Sequence, residues 1–294
     1  MRRVWTLVVI GCLAGPFAAL AHLQEGAPLP SPGAPMASYP AQELDRIVSP
    51  VALYPDPLLG QVLTAATFSP EIPDAARWSD EHHYLLPSQL SAAIAADRLP
   101  WQPSVQALLP FPSVLTMMAS AMPWTEELGS AFLSEPQSVM DAVQRMRQVA
   151  MTNGYLRSTP RLLVRGGPYI EILPLDPGYV VVPYYNPVVV FGPRRGPIGA
   201  AAISFGFGVA LGAAFEPWGW GTTRFGWSDH ALFVNNAPWR RTWSNRAVYV
   251  HPYAVQRYAG PRPVEPHVLH ERSEREREAA QAGRSRREDH RRDR

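Results

Sequence analysis

"ALYPDPLL", residues 52–59, sets Tyr54, Pro55, Asp56 and Pro57 in direct succession between two apolar runs. Pro55 biases Tyr54 away from the helical region and toward a turn. Asp56 is a residue type favoured at a helix N-cap, and Pro57 in the next position is pre-set for a first helical turn, where its missing N–H is not needed. The stretch predicts a turn that launches a helix, with Tyr54, Pro55, Asp56 and Pro57 as a structural motif rather than a catalytic one. Tyr54 is expected to pack beside Leu53 and Leu58. Upstream, Leu44, Ile47, Val48 and Val51 recur at three and four residues, and downstream Leu58, Leu59, Val62, Leu63 and Ala66 do the same, as one face of a helix requires. A partial echo, "ALLPFPSV", begins 55 residues later at Ala107.

The same punctuation continues. Helices are expected near Pro73 through "DAARWSDEHH", after Ser88 as "QLSAAIAAD", and after Pro112 as "SVLTMMASAM". A longer one opens at Pro136, where proline suits the first helical position. Val139, Val143, Met146 and Ala150 line one of its faces, and Asn153-Gly154 ends it. These helices are short, so packing rather than propensity must hold them.

Beyond residue 157 the period changes. "YIEIL", "YVVVPYY" and "VVVFG" are rich in β-branched and aromatic residues and are separated by the turn chemistry of "PLDPG" and "NP". They read as two or three short strands, and Pro183 marks its strand as an edge. The stretch 198–215, "IGAAAISFGFGVALGAAF", supports two readings. As a helix it aligns Ala200, Ser204, Gly208 and Gly212 in a small-residue stripe suited to close contact in a membrane or an assembly. As a strand it alternates Ile203, Phe205, Phe207, Val209 and Leu211 against small residues. Five of the nine tryptophans follow between Trp218 and Trp243, a cluster that suits an interface belt. "WGWGTTRFGW" and "HALFVNN" alternate like hairpin strands.

The ends have their own composition. "MRRVWTLVVIGCLAGPFAALA", residues 1–21, has the charged start, apolar run and A-x-A-like site of a secretory signal peptide. "VIGC" leaves a lipidated Cys12 as the competing reading, and an uncleaved anchor as a third. Cys12 is the single cysteine, so a chain cleaved after Ala21 would have no disulfide or thiolate metal site. Residues 22–40 form a Pro-rich linker. In the last 24 residues 16 are Arg, Asp or Glu, a composition that cannot build a core and predicts a solvated helix or disordered tail.

The formal net charge of +2 is unevenly spread. Residues 22–160 carry 13 acids against 6 arginines, whereas residues 161–270 carry 5 acids against 10 arginines. The chain has no lysine.

The expected fold class is α+β. A short-helix N-terminal domain (41–156) leads into a small β segment (157–192), a Gly/Trp-rich hydrophobic and β-prone region (193–260), and a charged tail (261–294).

Catalytic patterns are sparse. His82 and His83 are adjacent, which points them about 100° apart on a helix and denies them the i, i+4 geometry of a metal pair. No G-x-S-x-G or S-x-x-K motif occurs. "GFGVALG" lacks the βαβ context of a nucleotide loop, and the tail's "ERSERERE" neutralises its own charge. No metal, cofactor, small-molecule ligand or nucleic acid is expected, while membrane or envelope-protein partners are.

Three longer stretches carry a resemblance: "ELDRIVSPVALYPDPLLGQVLTAATFSPEIPDAARW", "WQPSVQALLPFPSVLTMM" and "WTEELGSAFLSEPQSVMDAVQRMR". With "VVVPYYNPVVVFG", they resemble the bacterial family of unknown function DUF3300 over roughly residues 41–192. The resemblance implies a secreted or envelope-associated protein of Gram-negative bacteria and supplies no catalytic residue. The leading expectation is a non-enzymatic structural or interaction module in the periplasm or cell envelope. The competing one is a periplasmic cell-wall hydrolase using carboxylates of the helical domain, with Trp78, Trp101 and Trp124 along a glycan groove. Asp56 facing a second carboxylate across a cleft would mark the enzyme; Asp56 bonded to amides of its own helix would mark the scaffold.

Overall fold

Proline explains most of the helix starts. The computed structural model describes residues 38–193, 203–206 and 208–238, which belong to one compact unit. The expectations for the signal peptide, most of the linker, residues 194–202 and the charged tail lie outside the described residues. Nine α-helices are described: α1 (Ala41–Val48), α2 (Asp56–Ala66), α3 (Ile72–Glu81), α4 (Pro87–Asp97), α5 (Pro103–Gln106), α6 (Pro112–Ser120), α7 (Met122–Ser134), α8 (Pro136–Thr152) and α9 (Pro187–Val190). All but α1 carry proline in the first two helical positions, where the ring's fixed φ fits and no intrahelical N–H is lost. The chain's 32 prolines therefore do not prevent a single packed body over these residues.

α2 is the central element. Every residue from Leu58 to Ala66 is buried, so the helix is surrounded rather than amphipathic. α7, which the periodicity did not separate from its neighbours, crosses α2 at Gly129, where any Cβ would collide with the Ala66 carbonyl. α1 lies on α8, and α3 on α6. On α8 the expected face holds: Val139, Val143, Met146 and Ala150 are buried, and Gly154 closes the helix at φ +76°.

The strands are short antiparallel pairs. β1 (Leu162–Arg165) pairs with β2 (Glu171–Pro174), β3 (Tyr179–Val180) with β6 (Val209–Ala210), and β4 (Pro183–Tyr185) with β5 (Ile203–Phe205). Pro183 sits in a two-stranded sheet, as an edge proline should. β7 (Arg224–Gly226), β8 (Ala231–Val234) and β9 (Ala237–Pro238) form a meander whose second turn is Asn235-Asn236, both at positive φ.

Two expectations are corrected. "VVVFG" does not make a strand: the Asn186 side chain accepts from the Val188 N–H at 2.9 Å and nucleates α9 instead. The helical reading of 198–215 also fails for its described part, which forms β5, β6 and a 3-10 turn over Gly212–Trp218. Ser204 lies in β5, Gly208 precedes β6, and Gly212 opens the turn at φ +53°, so these three are not one helical stripe; Ala200 lies outside the described residues. Among the described residues no helix is long and apolar enough to cross a membrane. Tertiary pairing overrides the helical period because β3 and β4 offer free edges to Val209–Ala210 and Ile203–Phe205.

Candidate functional site

The "ALYPDPLL" turn is gripped from outside. Arg147, fully buried on α8, donates from Nε to the Ala52 carbonyl at 2.9 Å, from Nη2 to the Tyr54 carbonyl at 3.0 Å, and from Nη1 to the Ile170 carbonyl at 2.8 Å. The same Nη1 pairs with Asp56 Oδ1 at 2.7 Å. The Tyr185 hydroxyl donates to the Ser49 carbonyl at 2.7 Å and accepts from the Leu53 N–H at 3.2 Å. The carbonyls and amide of a turn that precedes a helix would otherwise lack partners inside a core.

Asp56 is not the N-cap that its residue type predicts. Pro55 occupies that position, no side-chain cap bond forms, and Asp56 is the first helical residue, only 3% exposed. Its Oδ1 holds Arg147 and accepts a long bond, 3.4 Å, from the Ile172 N–H; its Oδ2 accepts from Trp227 Nε1 at 3.0 Å. The Arg147 guanidinium also lies 5.0 Å from the centre of the Trp227 ring. Burial pushes the Asp56 carboxyl up from the ordinary carboxylate range, opposed by Arg147 and the Trp227 N–H. The hub thus joins the 49–57 turn, α8, β2 and the turn after β7.

The echo at Ala107 is used in a parallel way. Trp220 Nε1 donates to the Ala107 carbonyl at 2.9 Å, and Phe111, which aligns with Asp56, lies 5.2 Å from the Trp220 ring. Trp218 Nε1 donates to Gln106 Oε1 at 2.9 Å. Three tryptophans of the cluster therefore clamp the C-terminal strands onto the helices; Trp239 and Trp243 lie outside the described residues. Trp78, Trp101 and Trp124 are half-buried against the same core, and Trp124 Nε1 is bonded to the Ile47 carbonyl.

Sequence reasoning missed Arg147 and Trp227. Arg147 had a signal: it follows Val143 by four residues, on the apolar face of α8, where a cation must be paired or be exposed. Trp227 had none, since 171 residues separate it from Asp56.

A second feature is a cavity of about 320 Å³ between the Tyr155–Pro160 stretch, β1 and β5, floored by Leu53 and Ile172. Among the described residues no cluster of three or more His, Cys, Asp or Glu is placed to hold a metal.

Comparison with known proteins adds a family and one relative. The family described as "Protein of unknown function (DUF3300)" matches residues 40–259. "Uncharacterized protein YacH" of Escherichia coli (strain K12) is 34% identical over 200 residues, covering 56% of this chain and 32% of that protein. The chain thus spans about a third of the length of that relative. No solved structure matches.

Proposed function

The chain belongs to the DUF3300 family of proteins of unknown function, and from that premise we propose that it acts as a non-enzymatic structural or interaction module of the cell envelope. The observation that carries the reading is a pair of exposed valines on an element held by side-chain hydrogen bonds. Val188 on α9 is 82% exposed, and its neighbour Val189 is also exposed. α9 is only four residues long and would not persist alone. It is capped by Asn186 and tied to α8 by Asn153, whose Nδ2 donates to the Val190 carbonyl at 3.0 Å and the Gly192 carbonyl at 3.2 Å. Apolar side chains presented to water on a fastened element suit contact with a partner better than fold stability.

The hydrolase reading loses its principal carboxylate. An acid or base must reach a substrate proton, whereas Asp56 is enclosed and both its oxygens are occupied. The placement in the envelope rests on residues 1–21.

The test is fractionation of cells expressing the full chain, beside a Val188→Asp/Val189→Asp variant. The wild type is expected in the envelope fraction, and the variant in the freely soluble exported pool with unchanged melting. Wild-type protein retained in the cytosol would sink the location; a variant that fractionates like wild type would sink the role of α9.

A further inference from the structure

The cavity beside β1 has a division of chemistry that selects a ligand. Its walls include Leu162 and Val164 of β1, Ile203 and Phe205 of β5, and the buried Leu53 and Ile172. The wall hydroxyls of Ser158 and Thr159 are already committed: Ser158 Oγ accepts from the Val164 N–H at 2.9 Å, and Thr159 Oγ1 accepts from the Leu162 N–H at 3.1 Å. Arg157 and Tyr155 line the same space, and among the described residues neither side chain has a hydrogen-bond or ion-pair partner. Arg157 is an exposed residue on the wall of a hollow whose remaining lining is mostly apolar.

A volume of about 320 Å³ falls at the lower end of the range for small-molecule sites. Such a hollow takes an apolar body, and a free guanidinium beside it takes an anionic head, because Arg binds carboxylates through two parallel N–H donors. We propose that this cavity binds a single-chain aliphatic carboxylate, with the chain between β1 and β5 and the carboxylate held by Arg157 and the Tyr155 hydroxyl. The inference stands apart from the envelope reading, since it uses neither α9 nor the export signal.

Titration calorimetry on the full chain with decanoate, kept below its self-assembly concentration, tests it. Decanol and decyltrimethylammonium of the same chain length isolate the head group, and vesicles of an anionic phospholipid separate a free carboxylate from a lipid surface. Decanoate should bind saturably at one site, and more tightly than either control. Arg157→Gln removes a charge-assisted bond and should weaken decanoate roughly tenfold or more. Phe205→Asp sets a like charge on an exposed wall residue and should weaken it at least as much. Both positions are exposed, so circular dichroism and melting should match the wild type. No saturable decanoate binding, equal affinity for the cationic control, wild-type affinity in either variant, or binding of vesicles alone would each overturn the proposal.

Discussion

Replacing Asp56 by Ala separates a helix cap from a buried ionic hub. Loss of a cap costs about 1 kcal/mol. Loss of Asp56 here leaves the Arg147 guanidinium fully buried without its counter-charge and the Trp227 N–H without its acceptor. Breaking a buried pair by removing one partner costs about 3–5 kcal/mol. For a body of this size each kcal/mol moves the melting temperature by about 2–4 °C, so the variant should melt about 6–20 °C lower, against about 2–4 °C for a cap.

Urea titration should show the midpoint falling at constant slope. Arg147→Met supplies the second arm. It strands the Ala52 and Tyr54 carbonyls and leaves the Ile170 carbonyl to Gln144; Asp56 loses its counter-charge, so burial is opposed only by the Trp227 and Ile172 N–H groups and its folded pKa rises further. A raised folded pKa favours the folded state fully below the unfolded value, and the advantage is lost as pH rises through the folded one. Arg147→Met should therefore lose less stability in acid than at neutral pH, and the double variant should lose less than the two singles together. An Asp56→Ala protein that loses only about 1 kcal/mol, with additive effects in the double variant, refutes the hub.

Other outcomes follow from the same packing. Trp227→Phe keeps an aromatic ring but removes the pyrrole part of the indole with its N–H donor to Asp56 Oδ2; it should lower stability by about 1–3 kcal/mol or more in urea titration, the cost of an unsatisfied buried partner plus the lost packing. Gly129→Ala drives a methyl into the Ala66 carbonyl at the α2–α7 crossing, and should destabilise by about 1–3 kcal/mol or more, read as a lower melting temperature. Burial raises the Tyr54 and Tyr185 phenols above their ordinary value of 10.0. The folded state then keeps protons that the unfolded state releases, so stability should fall as pH rises past 10, and tyrosinate absorbance should show a late fraction that appears only with unfolding. Early titration of all the tyrosines in the folded protein would contradict this.

The local grammar of the chain was readable directly. Proline at a first helical position and apolar spacing of three and four are properties of neighbouring residues, so α2, α3, α4, α6 and α8 could be placed from them. The Asn153-Gly154 stop is of the same kind. Tyr54, Pro55, Asp56 and Pro57 could be singled out from the residues alone, but the contacts around them could not. Pro55 already sits at the cap, and the carboxylate of Asp56 is drawn instead to Arg147, 91 positions away, and to Trp227, 171 positions away. The stretch after residue 198 shows the same limit: its small and large residues satisfy both a helical and a strand period. Only the free edges of β3 and β4 decide between them, because a backbone N–H that pairs across a sheet cannot also pair within a helix. Period and punctuation act over a turn or two of chain; the choice of partner for a buried charge or an open strand edge is made by whatever the fold brings alongside.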